Sequence, residues 1–231
     1  VLAAAHEAGV PKVLVTSSLA AAGPSGPEPL TEDAPLQPLS MYGESKAEME
    51  RRIAMRTVGP PVVVVRPPAV YGPREADIYT LIKTAAKQRL FPIVGEGRVP
   101  QLDLVHVRDL VRGMITAAET EDTAGQTYFL GGPRGYAWSE IKAVMAEALG
   151  HGLMQVNVPR GLVGPVGAVA EGVGKLFGQY PPLNREKARE AKAAWLVSSA
   201  KAERDFGYTP QVSLEEGLAE TIAWYRTHEW L

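Results

Sequence analysis

Tyr42 and Lys46, in the stretch Tyr42-Gly-Glu-Ser-Lys46, have the side-chain types and the spacing best suited to chemistry. They stand four positions apart at the predicted start of a helix, so both side chains lie on one helix face. The reference pKa of a phenol, about 10, is too high for a base at neutral pH, but an ammonium fixed beside it favours the phenolate. Such a pair can transfer a proton to a ketone or from an alcohol. Because the same spacing also occurs between surface residues of many helices, the neighbouring elements must decide between a catalytic pair and a surface pair.

A predicted strand at residues 12–16 ends in two serines, Ser17 and Ser18. The run Val-Leu-Val-Thr within it is short, apolar and rich in β-branched residues, which is typical of a buried strand. Open α/β sheets bind their ligands at the C-terminal ends of parallel strands, so a hydroxyl there can polarise the substrate oxygen that the tyrosine protonates. The other interpretation is that the serines only end the strand.

Strands and helices are predicted to alternate along most of the chain, which indicates an α/β fold with a parallel sheet. The fully apolar strand at 62–65 is typical of a sheet that is covered on both faces. Asp109 and Ser139 are the predicted N-caps of two helices, and strands are expected to be scarce beyond Leu153. The predicted strands are 12–16, 62–65, 92–94, 103–106 and 127–130, and the predicted helices are 1–8, 41–55, 78–89, 109–119, 139–149 and 214–228.

The composition is that of an ordinary soluble globular protein, with 231 residues of which 45% are hydrophobic and 22% charged. A net charge of −2 creates no general field for nucleic acid, so no nucleic-acid partner is expected. The absence of cysteine excludes disulfides, a thiol nucleophile and thiolate metal sites, and the four histidines lack zinc-ligand spacing, so no metal is expected. Neither a signal peptide nor a membrane-spanning tract is evident, and the expected location is cytoplasmic.

The order of these features carries a resemblance to a known family. A strand, a serine pair, a Pro-rich loop and Tyr-x-x-x-Lys are followed by a valine-rich strand that ends in Arg66-Pro-Pro-Ala-Val-Tyr-Gly-Pro-Arg74. The sequence resembles the extended short-chain dehydrogenases/reductases, the group that holds nucleotide-sugar epimerases and dehydratases, 3β-hydroxysteroid dehydrogenases and dihydroflavonol reductases. The resemblance covers nearly the whole chain, from the helix at Val1 to Trp224-Tyr225.

The resemblance implies a catalytic triad of Ser18, Tyr42 and Lys46. Tyr42 would be the acid/base, Lys46 would tune it and bind the nicotinamide ribose, and Ser18 would hold the substrate oxygen. His106 would be structural rather than catalytic.

The resemblance also implies a cofactor, NAD or NADP, and the residues that bind it and the substrate. The expected cofactor-binding residues are Thr16, Ser17, Tyr42, Lys46, Pro67, Pro68, Ala69 and Val70. The expected substrate-binding residues are Leu19, Tyr71, Arg74 and Leu102. A homodimer through the helices at 41–55 and 78–89 is implied as well.

In the implied organisation, residues 1–73 and 103–131 are the C-terminal part of a Rossmann-type dinucleotide-binding domain, and residues 74–102 and 132–231 form a smaller, mostly helical substrate lobe. No Gly-x-Gly-x-x-Gly turn occurs in the chain. By comparison with the family, the first four strands and their helices are expected upstream of Val1. The chain is therefore expected to be a fragment with weak dinucleotide binding and an uncovered, aggregation-prone sheet edge.

Two regions bear on the substrate. Nucleotide-sugar enzymes of the family commonly carry an arginine at the position of Leu102 and a second one in the region that reads Ala-Ala-Trp-Leu here, at 193–196. Unless Arg98 or Arg189 substitutes, a diphosphate loses charge-assisted contacts worth about 1.5–3 kcal/mol each. The apolar tract 162–178 has helical spacing and either packs the core of the lobe, roofs an apolar pocket or touches a membrane surface.

These features predict an oxidoreductase acting on a secondary alcohol or its ketone, with a steroid-, terpenoid- or flavonoid-like substrate. A nucleotide-sugar epimerase or dehydratase, which returns the hydride to the product, is the first alternative. The second alternative is a non-catalytic relative that senses the cofactor or assists assembly. The joint presence of Ser18, Tyr42 and Lys46 argues against it, because nothing structural demands these three residues together.

Overall fold

The structure, a computed structural model, describes residues 1–95, 97–159, 161 and 189–231. The chain divides into two compact units. The first comprises Val1–Tyr71, Asp103–Gly135 and Trp195–Ser213, and the second comprises Gly72–Leu102, Tyr136–Ala194 and Leu214–Leu231. The apolar tract 162–178 lies outside the described residues. Within the described ranges, no helix is long and apolar enough to cross a membrane.

Strands and helices alternate along the described residues. The strands are β1 (Val13–Thr16), β2 (Val62–Arg66), β3 (Ala69–Tyr71), β4 (Leu90–Val94), β5 (Gln101–His106), β6 (Thr127–Phe129), β7 (Gly135–Ala137) and β8 (Met154–Val158). The helices are α1 (Leu2–Glu7), α2 (Leu19–Ala22), α3 (Met41–Ala54), α4 (Asp77–Gln88), α5 (Val107–Glu119), α6 (Trp138–Leu149), α7 (Ala200–Phe206) and α8 (Leu214–Thr227).

The first unit is built on a parallel sheet with the strand order β1-β2-β6. Thr16 of β1 is in register with Val65 of β2, and Arg66 of β2 with Phe129 of β6, so the three strands end at one edge of the sheet. All five residues of β2 are buried, as expected for the central strand of a covered parallel sheet. β3 runs parallel to β5. The predicted α/β fold with parallel strands is confirmed.

The hydrophobic core of the first unit joins side chains of β2, β5, β6, α5 and α7 in one cluster. Its buried members are Val63, Val65, Val105, Leu110, Ala117, Tyr128, Leu130, Ala202 and Tyr208. β1 contributes the partly buried Leu14, as its position at the edge of the β1-β2-β6 sheet implies. Helix α5 contacts both β1 and β2.

The second unit contains a two-stranded parallel sheet of β4 and β8 together with helices α4, α6 and α8. Helix α6 packs against α8, and α4 packs against β4. β8 directly follows Leu153, in a region where few strands were expected. Its side chains are half-buried or exposed, so its sequence has no continuous apolar run that would identify it as a strand.

The predicted N-caps Asp109 and Ser139 are wrong. Helix α5 begins two residues before Asp109, and His106 caps it by accepting a hydrogen bond at Nδ1 from the N–H of Arg108 (3.3 Å). The Asp109 carboxylate is buried and instead accepts from the N–H groups of residues 211 and 212 (2.9 Å each). Helix α6 begins one residue before Ser139, and residue 137, its N-cap, donates its N–H to the carboxylate of Glu140 in the first turn (2.8 Å).

Residues 195–213 belong to the first unit, whereas the predicted division placed all of 132–231 in the substrate lobe. Two hydrogen bonds that join this segment to Gly131 explain the difference. Gly131 donates its N–H to Ser199 Oγ (2.8 Å), and Tyr208 donates its hydroxyl to the carbonyl of Gly131 (2.7 Å). Which unit binds which ligand stays a prediction.

Candidate active site

The predicted catalytic residues lie around the C-terminal edge of the β1-β2-β6 sheet, where parallel sheets bind their ligands. Ser18 stands two residues beyond the end of β1, and Pro67 follows β2 directly. The N–H of Leu19 donates to the carbonyl of Pro67 (2.9 Å), so the loops that leave the two strands are joined. The edge therefore brings Ser18 next to the loop that was expected to line a nicotinamide.

Ser18 is held in place by the short helix that it starts. Its backbone is extended, and its Oγ accepts a hydrogen bond from the N–H of Ala20 (3.1 Å), which makes it the N-cap of α2. The cap uses the hydroxyl oxygen as an acceptor. The hydroxyl hydrogen is therefore available to donate to a ligand oxygen, because a serine hydroxyl is both donor and acceptor.

Tyr42 and Lys46 lie in the first half of α3, which is capped by Ser40 Oγ accepting from the N–H of Gly43 (3.3 Å). Tyr42 is 55% exposed. Lys46 Nζ lies 5.7 Å from the centre of the Tyr42 ring and donates to the carbonyl of Thr16 (3.0 Å). One ammonium thus contacts both the phenol ring, at a cation–π distance, and the end of β1.

Helix α3 approaches α2 closely at Gly43. A Cβ atom at Gly43 would lie 2.4 Å from the carbonyl oxygen of Ala20, well inside van der Waals contact, so only glycine permits this approach. The approach brings the start of α3, with Tyr42, close to the helix that Ser18 caps. No hydrogen bond joins the hydroxyls of Ser18 and Tyr42 in the part of the chain that the structure describes.

A buried polar cluster of Ser17, Glu50 and Arg66 lies beside these residues, each 1–7% exposed. Ser17 Oγ donates to Glu50 Oε1 (2.5 Å). Arg66 donates to the same carboxylate from Nε (3.0 Å to Oε1) and from Nη2 (2.6 Å to Oε2). The guanidinium carbon also lies 5.5 Å from the centre of the Phe129 ring. Buried charges need such partners, so the cluster is held together by its own ion pair.

Three of the predicted binding residues are buried and engaged within the protein. Ser17 donates its hydroxyl to Glu50. Leu19 belongs to an apolar cluster with Phe129, and Tyr71, 2% exposed, donates its hydroxyl to the carbonyl of Ser213 (3.3 Å). Ligand contact by these three residues stays a prediction.

The remaining predicted residues fall into two groups. Pro67 and Pro68 are buried beyond β2, and Ala69 and Val70 are half-buried in β3, all in the first unit. The two other substrate residues are in the second unit: Arg74 is exposed with a left-handed φ of 72°, and Leu102 is half-buried. Ligand contact by either group stays a prediction.

Sequence reasoning missed Glu50 altogether. A signal was present, because Glu50 stands one turn beyond Lys46 on the helix face that also buries Gly43 and Ala47. An acidic residue on the buried face of a helix requires a partner, and Arg66 at the end of a fully apolar strand is the matching charge.

Asp103 of β5 carries another buried carboxylate and is 3% exposed. Its Oδ1 accepts from the N–H of Gly132 (2.8 Å), and the N–H of Val197 donates to it as well. Burial raises the pKa of Asp103 to about 7, although both N–H groups act in the opposite direction. The carboxyl group therefore ties β5 to the chain beyond β6 and to the segment at 195–213.

Comparisons with known proteins identify the family of this chain. The family described as the NAD dependent epimerase/dehydratase family matches residues 1–131. A ceramide reductase of Caulobacter vibrioides is 30% identical over 99% of this chain and 66% of its own length. A dTDP-glucose 4,6-dehydratase of Streptomyces griseus is 31% identical over 86% of this chain and 53% of its own length. The chain thus spans between about half and two-thirds of the length of these relatives.

Solved structures extend the similarity to the fold. The crystal structure of DesIV, a dTDP-glucose 4,6-dehydratase from Streptomyces venezuelae with NAD and TYD bound, superposes with a TM-score of 0.72. The similarity covers 99% of this chain and 64% of that one, at 26% identity. With a Rossmann-type parallel sheet, the Tyr42/Lys46 pair on α3 and a family match over more than half of its residues, the chain belongs to the NAD-dependent epimerase/dehydratase family of extended short-chain dehydrogenases/reductases.

Proposed function

We propose that this chain carries the catalytic end of an NAD(P)-dependent oxidoreductase that interconverts a secondary alcohol and its ketone. The observation that carries the proposal is the position of Tyr42, a half-exposed phenol one helical turn before Lys46. The Lys46 ammonium contacts the phenol ring and is held by the end of β1, and Ser18 caps the helix that starts beside that strand end.

The side chains suit a proton-transfer role around one substrate oxygen. In reduction, Tyr42 gives its hydroxyl proton to the ketone oxygen while the Ser18 hydroxyl donates a hydrogen bond to the same atom. The phenolate that results is stabilised by the Lys46 ammonium. In oxidation the same proton returns from the alcohol to Tyr42.

The residues present also fit the nicotinamide half of NAD or NADP, which supplies or accepts the hydride when bound. An ammonium has three N–H donors, and one of those of Lys46 reaches the Thr16 carbonyl. Two donors are left for hydroxyl groups such as those of a ribose. The backbone of Pro67, Pro68 and the following strand β3 would line the ring.

Two observations favour a substrate of low polarity. The ceramide reductase relative is similar over 99% of this chain, and its name refers to a ceramide, which is a lipid. Position 102 holds a half-buried leucine, so it offers no cation to a diphosphate. The proposed substrate is therefore a lipophilic ketone or its secondary alcohol.

Replacing Tyr42 with phenylalanine in the protein that the natural gene encodes tests the proposal. We expect Tyr42→Phe to lower turnover of a lipophilic ketone by about 100-fold or more while NADH or NADPH binding is unchanged, because only the proton donor is lost. Turnover is measured by cofactor absorbance and binding by cofactor fluorescence. Tyr79→Phe is the control, since it removes a phenol of the second unit that donates to the carbonyl of Trp230. Unchanged turnover in Tyr42→Phe would remove Tyr42 from the mechanism.

A nucleotide-sugar epimerase or dehydratase is the second candidate, favoured by the similarity to dTDP-glucose 4,6-dehydratases. Such an enzyme takes a hydride from the sugar and returns it, so turnover produces no net NADH. Conversion of a nucleotide sugar without net change in cofactor absorbance would replace the first proposal. Cofactor binding without turnover on either substrate panel would instead support the non-catalytic role.

A further inference from the structure

The buried cluster of Ser17, Glu50 and Arg66 contains two charged groups that the proposed chemistry does not use. Glu50 accepts four hydrogen bonds from these partners, at 2.5–3.1 Å, and none of the three residues is more than 7% exposed. Burying a charge pair is costly, and a hydrophobic pair of similar volume is often at least as stable. The Glu50–Arg66 pair is therefore better explained by a role in positioning neighbouring side chains than by a contribution to stability.

The cluster joins the two elements that carry the catalytic residues. Ser17 directly precedes Ser18, and Glu50 lies one helical turn after Lys46 on α3. Two hydrogen bonds therefore connect α3 with consecutive residues at the end of β1, from Lys46 Nζ to the carbonyl of Thr16 and from Ser17 Oγ to Glu50. With the close approach at Gly43, the connection extends over two turns of one helix face.

Arg66 orients the Glu50 carboxylate that accepts from Ser17. Its guanidinium contacts both oxygens of Glu50 and, as the last residue of β2, is anchored in the central strand of the sheet. A planar guanidinium that binds a carboxylate through two N–H groups holds the carboxylate plane, and so determines where Ser17 can donate.

We infer that Glu50, held by Arg66, is a positioning residue that sets the placement of Ser18 relative to Tyr42 and Lys46 through the Ser17 hydroxyl. The inference rests on the proposed function for its consequence in catalysis. Its structural consequence does not depend on any substrate: loss of the Ser17–Glu50 contact displaces Tyr42 relative to the end of β1.

Ser17→Ala is the first variant, because it removes the hydroxyl and leaves the ion pair intact. We expect kcat for the ketone to fall about 10- to 100-fold, since a displacement near 1 Å has an effect of that order, while KM and the unfolding midpoint change little. Ser25→Ala is the matched control: Ser25 is also buried in the first unit and accepts a hydrogen bond from the N–H of Leu196 (3.0 Å). Its loss is expected to lower the unfolding midpoint and leave kcat unchanged.

A double variant separates positioning from stability. Glu50→Gln alone leaves a buried arginine without its charge partner and is expected to destabilise the fold strongly. Glu50→Met with Arg66→Met replaces both charges by apolar side chains and is expected to restore the unfolding midpoint while kcat stays low. Recovery of kcat together with stability in the double variant would show a structural role only, and would overturn the inference.

A fluorine label on tyrosine makes the test independent of turnover. With 3-fluorotyrosine in place of tyrosine, the resonance of Tyr42 is identified by its loss in Tyr42→Phe. We expect Ser17→Ala to shift or broaden that resonance and to leave the resonance of Tyr79 in place. If the protein turns over no ketone, the proposed function fails, and this shift still supports the positioning role. An unmoved Tyr42 resonance in Ser17→Ala contradicts it in either case.

Discussion

Asp103 shows how burial changes the chemistry of one side chain. Glycines surround it for steric reasons: a Cβ at Gly131 would lie 2.7 Å from Asp103 Oδ2, and one at Gly132 would lie 1.9 Å from the carbonyl oxygen of Leu104. The N–H groups of Gly132 and Val197 donate to the carboxylate and favour its ionised form. Two N–H donors do not offset the loss of hydration, so the pKa rises to about 7.

The raised pKa of Asp103 predicts a pH dependence of stability. The folded-state pKa of Asp103 lies above its unfolded value. The stabilising contribution of the protonated carboxyl group is therefore fully present below the unfolded pKa and is lost as the pH rises through about 7. The free energy of unfolding should therefore fall between about pH 5 and pH 8, at up to about 1.4 kcal/mol per pH unit.

Urea unfolding of the wild type and of Asp103→Asn over that pH range measures the effect. The variant has no proton to exchange at this site. We therefore expect its free energy of unfolding to fall by about 1–3 kcal/mol less than that of the wild type over this pH range. Asp122→Asn, at an exposed position, is the control and should keep the wild-type slope. Equal slopes in the wild type and Asp103→Asn would mean that the carboxyl group is ionised throughout.

At the scale of secondary-structure elements, the start of α3 is the critical part of the candidate site. The helix buries Gly43, Ala47 and Glu50 on one face, while Glu44, Glu48, Arg51 and Arg52 pair with one another on exposed positions. Surface pairs of this kind contribute little to stability. The packing against α2 at Gly43 therefore determines where Tyr42 and Lys46 stand.

Gly43→Ala tests this packing. Alanine normally stabilises a helix by about 0.5–1 kcal/mol relative to glycine, but here its Cβ would meet the Ala20 carbonyl at 2.4 Å. We expect a net destabilisation of about 1–3 kcal/mol in urea unfolding, because α3 must move away from α2. Gly26→Ala, where nothing lies within 4 Å of the added Cβ, should change stability by less than about 0.5 kcal/mol. If Gly43→Ala instead raises the free energy of unfolding, α3 can move away from α2 without loss of stability.

At the scale of the whole molecule, apolar side chains remain exposed in the first unit. Val111 and Ile115, one turn apart on α5, are 46% and 52% exposed. The side chains of β1 at residues 13–15 are half-buried, whereas every residue of β2 is buried. An edge strand and a paired apolar surface on a helix both favour association with another surface.

We expect the chain to self-associate, with a mass in sedimentation or light scattering that rises with concentration above 24.8 kDa. Val111→Lys with Ile115→Lys should lower this association with little effect on stability, because both positions are already exposed. Ala118→Lys, exposed on the same helix, is the control. Met55, directly after the last residue of α3, is 79% exposed. If Met55→Lys lowers the mass instead, the chains associate through α3, one of the two helices expected to form the homodimer.

Most elements of this fold follow from local sequence patterns. The helix predicted at 41–55 is Met41–Ala54, the strand predicted at 62–65 is Val62–Arg66, and the helix predicted at 214–228 is Leu214–Thr227. The strand is a continuous apolar run, because both of its faces are buried, and the last helix repeats apolar residues on its buried face. α2, of four residues, and β8, with largely exposed side chains, have neither an apolar run nor an apolar period, and for that reason neither was predicted.

The sequence by itself determined the order of the elements and the one-turn spacing of Tyr42 and Lys46, because both depend on residues close together in the chain. Only the tertiary structure decided what the polar side chains bind. Ser17 donates to a carboxylate 33 residues away, and Asp109 accepts from an N–H 102 residues away rather than capping its helix. Burial forces each polar group to find a partner, and which partner is within reach is known only when distant segments have packed together.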